Sequence, residues 1–211
     1  MLSRLPLYLL ATCVAGALAH WETVDEAAAI ARRVLVKSAV GTMATIYPDD
    51  HTMLPGQPYA MQEYYASCFS NGSLALIFLP ISRHSQNILH SPTRSASISV
   101  WSEPPSASQP RVSLMGNVTL LDDRDGEVNA LRECYLKQHR DARWWLPGDD
   151  EGAHLAYWAR FDPHTVYFVG GFGDEHYIGY IPLDKYQSAS SDTAERQAPQ
   201  GQQVLRGGRR N

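Results

Sequence analysis

Residues 82–85 bring two hydroxyl groups, a guanidinium and an imidazole together in one short stretch, Ser82-Arg83-His84-Ser85. The stretch follows an apolar run and a proline, which predicts a short polar helix with Ser82 as its N-cap. The first turn of such a helix presents backbone N–H groups and a positive dipole end to an anion. Arg83 adds planar, bidentate donors suited to phosphate. The alternative is that Ser82 only caps the helix while Arg83 is solvated and His84 is packed.

No other pattern of residues predicts a catalytic centre. The sequence has no Gly-x-Ser-x-Gly elbow and no phosphate-binding P-loop. His154, His164 and His176 lack the close spacing with acids or cysteines that is typical of metal sites. We therefore assign no catalytic residue and no metal ligand.

Residues 1–19 have the layout of a secretory signal peptide. A basic residue, Arg4, precedes an apolar stretch over residues 5–19 that ends in small side chains. That stretch is shorter than the roughly twenty apolar residues that span a bilayer, and no later segment reaches that length. We expect a mature chain without a membrane span that is secreted, or delivered to an endolysosomal, vacuole-like lumen.

The composition predicts one globular domain over residues 20–186 that does not bind nucleic acid. The formal net charge is −4, whereas a nucleic-acid surface needs clustered Lys and Arg. Residues 187–211 contain mostly Ser, Ala, Gln, Gly and Arg, which predicts a disordered tail.

Two further features fit a secretory compartment. Asn71-Gly72-Ser73 and Asn117-Val118-Thr119 are acceptor triplets for N-glycosylation. Cys68 and Cys134 are the cysteines that follow the predicted signal peptide, and an oxidising lumen permits a disulfide between them. Two cysteines do not make a scaffold, so a pair of buried free thiols remains the alternative.

The elements that position residues 82–85 are mostly strands. A capping box at Thr23 begins a predicted helix that ends at Gly41, and a second long helix is predicted over Asp125–Arg143. Asn71-Gly72 and Asp162-Pro163-His164 predict the turns of two β-hairpins. Strands are predicted over residues 42–48, 59–70, 73–80, 94–102, 111–123, 155–161, 165–172 and 177–183. Many antiparallel strands with helices at the margins predict an α+β barrel.

The order of these elements is similar to that of a known family. With the stretches GTMAT, SRHSQNILHSP, MGNVT and GGFG, the chain resembles the CREG-like secreted glycoproteins, a branch of the pyridoxamine-phosphate-oxidase-like FMN-binding split barrels. The likeness covers about residues 22–186. Its most specific part is a histidine followed by Ser or Thr, Asn, an aliphatic residue and Pro, here His84, Ser85, Asn87, Ile88 and Pro92. The resemblance implies a homodimer of antiparallel split β-barrels, of Greek-key type, with peripheral helices.

The resemblance also implies a ligand for residues 82–85. In flavin-binding relatives FMN lies at the dimer interface, and basic and hydroxyl residues after the third strand hold its phosphate. In this chain we assign that role to Ser82, Arg83, His84 and Ser85. Strong FMN sites of the superfamily have a further Lys or Arg a few residues on, and residues 86–90 contain neither. Some relatives degrade haem, which makes haem ligation an alternative role for His84.

Two interpretations follow from the resemblance and the residues. One is a secreted, dimeric binding or regulatory glycoprotein whose FMN pocket is degenerate or weak, with a small flavin-like or phosphate ligand. The other is an FMN-dependent oxidoreductase, in which the cofactor would do the redox chemistry and the protein would position it.

Overall fold

Seven strands and four α-helices make up the part of the chain that the computed structural model describes, residues 21–122, 128–148 and 154–191. The predicted signal peptide and nearly all of the predicted tail lie outside the described residues. Among the described residues no helix is long and apolar enough to cross a membrane. The strands are β1 (Val40–Ile46), β2 (Pro58–Tyr64), β3 (Leu74–Phe78), β4 (Ser95–Trp101), β5 (Arg111–Leu120), β6 (Tyr157–Val169) and β7 (Ile178–Ile181). The helices are α1 (Val24–Lys37), α2 (Arg83–His90), α3 (Val128–Gln138) and α4 (Leu183–Ser188).

All seven strands belong to one antiparallel sheet in the order β2-β1-β4-β5-β6-β3, and β7 also pairs with β6. The long strand β6 pairs with β5 along most of its length. Its other edge is shared, because β3 pairs with the first half of β6 and β7 with the second half. The α+β class and the antiparallel split-barrel arrangement predicted from the sequence are confirmed.

The predicted hairpin around Asn71-Gly72 is wrong, although the turn itself forms. Gly72 has a φ of 83°, and its N–H donates to the carbonyl of Phe69 at 3.2 Å. Instead of pairing with each other, β2 pairs with β1, and β3 pairs with β6. The two segments share only an isolated bridge between Ala66 and Ala75. Pairing with strands distant in sequence therefore overrides the local turn signal.

The predicted hairpin around Asp162-Pro163-His164 is also wrong, because all three residues lie inside β6. The register with β5 shifts at this point: Met115 pairs with Thr165, whereas Gly116 pairs with Pro163. His164 is the extra residue of a β-bulge, a position at which a strand tolerates the missing N–H of a proline. A Cβ on Gly116 would lie 2.2 Å from the carbonyl oxygen of Asp162, so this close approach requires glycine.

The main core fills the inner face of the sheet and the buried face of α1. Buried and less buried residues alternate along β1, β4 and β5; in β5 the buried ones are Val112, Leu114, Gly116 and Val118. Small residues of α1 let this helix pack closely on the sheet, and the capping box predicted at Thr23 is formed.

A second, smaller core lies on the other side of β3 and β6. Here α3 and a short 3₁₀ helix, Arg140–Trp144, cover Ala75, Ile77 and Trp158. The helix predicted over Asp125–Arg143 is thus divided into these two elements, and residues 125–127 lie outside the described residues. A disulfide joins Cys68 to Cys134 across 66 residues, so the free-thiol alternative is wrong. Closing a loop of that length removes about 4 kcal/mol of entropy from the unfolded chain.

Arg32 of α1 is a buried cation that is held by backbone carbonyls. It is 6% exposed and donates to the carbonyls of Ser70, Tyr186 and Gln187 at 2.8, 3.2 and 3.4 Å. Its guanidinium also lies over the ring of Tyr186, 5.4 Å from the centroid. Arg32 therefore ties α1 to α4 and to the turn before β3.

Replacing this arginine should destabilise the fold. We expect Arg32→Ala to lower the free energy of unfolding by about 2–4 kcal/mol, because buried carbonyls lose a charged donor. Urea denaturation followed by circular dichroism measures the change. The control is Lys37→Ala, a change at an exposed position of the same helix, which should cost less than about 0.5 kcal/mol. Equal effects of the two variants would contradict the role given to Arg32.

Glu63 of β2 is a half-buried carboxyl at the edge of the second core. It pairs across the sheet with Gly41, and its Oε1 accepts the N–H of Tyr64 at 3.2 Å. Burial raises the pKa of Glu63 to about 7, and the hydrogen bond from Tyr64 opposes the shift. Burial is the main cause that raises the pKa of Tyr135, and the nearby charge of Glu63 raises that pKa further.

The raised pKa makes stability depend on pH. Because the folded carboxyl holds its proton up to about pH 7 against an ordinary value of 4.5, its contribution is complete below pH 4.5 and is lost as the pH rises through 7. We expect Glu63→Gln to be more stable than the parent at pH 8 by roughly 1–3 kcal/mol, and near equal at pH 4.5. Thermal unfolding at both pH values tests this, with the exposed Glu133→Gln as control. A difference that does not vary with pH would exclude Glu63 as the titrating group.

Candidate functional site

The short helix α2 follows β3 directly, and its start is fixed by Ser82. The side chain of Ser82 accepts the N–H of Ser85 at 3.1 Å, which confirms Ser82 as the N-cap. Its backbone N–H donates to the carbonyl of Leu79 at 2.8 Å and so ties the cap to the end of β3. Residues 82–85 therefore form the N-cap and first turn of a helix, as the sequence predicts.

The two predicted hydroxyl ligands bond to each other. The Oγ of Ser82 donates to the Oγ of Ser85 at 2.9 Å. Ser85 is also buried, at 4% exposure. Both hydroxyls are thus used to close the first turn of α2, and Ser85 does not face solvent.

His84 points into the protein and holds α2 against β1. It is 5% exposed, and its Nδ1 lies 3.2 Å from the Oγ1 of Thr45. The same Thr45 oxygen accepts an N–H from the amide of Asn87 at 3.1 Å, so one hydroxyl of β1 holds both His84 and Asn87. Burial lowers the pKa of His84, and the backbone of Met61 opposes the shift, so the ring is neutral at pH 7.

Arg83 differs from its neighbours because its side chain is half-exposed. Its guanidinium lies over the ring of Tyr47, 5.3 Å from the centroid. Tyr47 in turn contacts His51 and Tyr59, with centroid distances of 4.6 and 5.9 Å. Tyr59 also contacts His84 at 4.8 Å. We call Tyr47, His51, Tyr59 and His84 the aromatic row; Arg83 lies beside it.

This arrangement fits a flavin phosphate poorly. Of the four predicted ligands, Arg83 alone combines a charge with exposure, whereas a phosphate monoester carries close to two negative charges. Neighbouring polar groups are bonded back onto the chain: Gln86 donates to the carbonyls of Pro80 and Ile81 at 3.5 and 3.3 Å, and Nδ1 of His90 donates to the carbonyl of Gln86 at 2.7 Å. The second cation that was missing from the sequence is not supplied by these side chains.

Some residues of the site were not found by sequence reasoning. Thr45, Tyr47 and Tyr59 lie on or next to β1 and β2, about 25 to 40 positions before α2, and nothing in their local sequence points to the helix. Asn87 was one signal that was available, because it belongs to the pattern that carried the family resemblance. The hydrogen bond from Asn87 to Thr45 gives a structural reason for an asparagine in that pattern.

The two predicted glycosylation positions lie in different environments. Asn71 is exposed in the turn before β3, and its Oδ1 accepts the N–H of Ser73 at 3.1 Å. Asn117 lies within β5 between Ser95 of β4 and Asp162 of β6, and its amide donates to the carbonyl of Thr93.

Two solved structures with a similar fold are bacterial proteins. A haem-binding protein from Mycobacterium smegmatis aligns with a TM-score of 0.62 and 23% identity over 80% of this chain and 62% of its own. A protein of unknown function from Agrobacterium tumefaciens strain C58 aligns with a TM-score of 0.56 and 20% identity over 74% of this chain and 61% of its own. This chain therefore spans less than two thirds of either protein, and identities this low speak to the fold alone.

Sequence comparison identifies the family. No curated protein matches this chain significantly. The family model described as CREG, beta-barrel, matches residues 22–188, which is more than half of the chain. The chain therefore belongs to the CREG β-barrel family.

Proposed function

We propose that this protein is a secreted or endolysosomal, dimeric glycoprotein with a binding or regulatory role, whose flavin pocket is degenerate. The observation that carries the proposal is the inward use of three of the four predicted phosphate ligands. Ser82 and Ser85 bond to each other, and His84 is buried against Thr45. The two hydroxyls and Nδ1 of His84 are thus already bonded within the chain and hold α2 in place.

The charge balance points the same way. Arg83 is one cation against a phosphate dianion, and it already interacts with the ring of Tyr47. Any flavin would therefore be held weakly, and a weakly held cofactor does not support a resident redox function. A catalytic flavin needs a site that fixes its position.

One observation favours the alternative, an FMN-dependent oxidoreductase. Tyr47 and Tyr59 lie next to the α2 N-terminus and are half-buried, so part of each ring is open for stacking. If FMN binds there, it would supply the redox chemistry, Arg83 would hold the phosphate, and the tyrosines would contact the ring system. Haem ligation by His84, which the name of the Mycobacterium protein raises, would use Nε2, the imidazole nitrogen without a hydrogen-bond partner among the described residues. The ring is only 5% exposed and would have to leave the core to meet a haem, so we do not propose it.

The dimer is supported by the outward face of the sheet, formed by the residues of β2, β1, β4 and β5 that alternate with the core. At its centre the half-buried Met115 lies among small side chains: Thr42, Ala44, Ser97, Ser99 and Ser113. Large hydrophobic side chains are exposed around this centre, on the same face (Val40, Ile46, Tyr64 and Trp101) and on the neighbouring strand β7 (Ile178 and Tyr180). A flat centre with an apolar rim suits the same face of a second copy. A shallow depression of about 600 Å³, lined by Thr42, Gln62, Ser99 and Trp101 among others, gives that copy a place to insert side chains.

An acidic lumen is consistent with the titrating groups. Burial raises the pKa of both Glu22 and Glu63. Each carboxyl therefore favours the folded state more at acidic than at neutral pH. These two carboxyls would contribute more stability in an acidic lumen than at neutral pH, whereas the buried His84, whose pKa burial lowers, would contribute less there.

Flavin titration tests the degenerate pocket. We expect purified protein to be colourless and to bind FMN no more tightly than about 10 μM by fluorescence quenching. Any weak binding should fall further in Arg83→Ala and stay unchanged in Arg132→Ala, an exposed arginine of α3. A yellow protein, or submicromolar binding that Arg83→Ala abolishes, would contradict the degenerate pocket and favour the FMN-dependent alternative.

The dimer is tested separately by light scattering coupled to gel filtration. We expect a dimer mass at micromolar concentration for the parent chain, and a monomer for Ser99→Arg, which puts a charge at the centre of the outward face. Asn129→Arg, at an exposed position of α3, is the matched control and should stay dimeric. A monomeric parent chain, or equal behaviour of both variants, would rule out dimerisation through this face.

A further inference from the structure

The two N-glycosylation triplets occupy places that differ in what surrounds them. Asn71 lies in an exposed turn, and Asn117 lies within a strand that is paired on both sides. A glycan at either position projects from the side-chain nitrogen, so the direction of that side chain decides what the glycan meets.

Asn71 leaves its side-chain nitrogen available. Its Oδ1 accepts the N–H of Ser73 at 3.1 Å, and the hydrogen bonds of the described residues include none from its Nδ2. The hydroxyl of Ser73 is buried and donates to Oδ1 of Asp162 at 2.8 Å. The transferase needs this hydroxyl, so modification of Asn71 takes place before the hydroxyl reaches Asp162, while the chain is still unfolded.

Asn117 points away from the core on the outward face of the sheet. Its neighbours Gly116 and Val118 are buried, and Asn117 alternates with them. Along β5 it lies four residues from Ser113 in the centre of that face, a distance of about 14 Å. A standard interface of about 800 Å² per partner has a radius of roughly 16 Å. A branched glycan on Asn117 would therefore stand inside the area that a second copy must cover.

We propose that Asn71 carries the glycan of the dimeric protein, and that a glycan on Asn117 and dimerisation exclude each other. The inference rests on the dimer proposed above and adds a way in which glycosylation would regulate its formation. A chain modified at Asn117 is held as a monomer, and two-fold symmetry strengthens the effect, because each interface would contain two such glycans. Occupancy of a single triplet thereby sets the oligomeric state.

Glycan mapping of each oligomer tests the proposal. The full chain is produced in a eukaryotic secretory host, monomer and dimer are separated by gel filtration, and occupancy of each triplet is read by mass spectrometry after enzymatic deglycosylation. We expect Asn71 to be occupied in the dimer and Asn117 to be unoccupied there. Asn71→Asp keeps the acceptor oxygen for Ser73 and should lose the glycan without losing the dimer. Thr119→Ala, at an exposed position, removes the second triplet and should leave no modified monomer.

A chemical mimic keeps the test decisive if the host leaves Asn117 unmodified. Asn117→Cys and Asn71→Cys are each labelled with a maleimide polyethylene glycol of glycan mass; Cys68 and Cys134 are already paired. The label should convert the first variant to monomer and leave the second dimeric. A dimer that carries a glycan or label at position 117, or an Asn71 that is never occupied, would overturn the inference. If the chain is monomeric even without glycans, the proposed dimer itself fails, which is a different result.

Discussion

The pairing between β5 and β6 is the constraint on which the rest of the structure depends. β6 is thirteen residues long, and β3, β5 and β7 all hydrogen-bond to it. It remains one strand because the bulge at His164 absorbs Pro163 and because Gly116 of β5 allows the backbone of Asp162 to approach. If this segment folded back as a hairpin, β3 and β7 would lose their shared partner. The aromatic core residues Phe161 and Phe168 would then leave the same buried face.

The polar side chains of α2 could either bind a ligand or hold the helix on the sheet, and most of them hold the helix. A short helix gains little stability from its own backbone, so α2 needs side chains that hold it on the sheet. His84 and Asn87 meet that need through Thr45, and Ser82 and Ser85 close the first turn. In each case a group that suits a phosphate also suits an internal hydrogen bond. The degenerate pocket proposed above would then be a consequence of how this chain fixes the helix.

Sequence reasoning succeeded where the signal is local. The N-cap at Ser82, the capping box at Thr23 and the alternation along β5 depend on residues within a few positions of one another, and all three were confirmed. The hairpins failed because strand partners are chosen over the whole chain. A packed His84 was one of the two alternatives that the sequence left open, and it is the one observed. Its partner Thr45, 39 positions earlier, was not predictable from the sequence. A residue's type shows what it can do, but its partners decide which role it has.

The two cores explain why one half of the sheet's outward face is covered and the other is open. The disulfide holds the α3 region against β3 and the first half of β6. There α3 and its neighbours bury the apolar side chains of Ala75, Ile77 and Trp158. On β4 and β5 the corresponding outward positions are mostly polar, four of them serine, and such side chains need no apolar cover within one chain. The exposed rim residues Tyr64, Trp101 and Tyr180 do favour cover. Of the described helices, α1 touches the depression on this face only with its last residue, Lys37, and leaves it open; a second chain is the partner that we propose for this face.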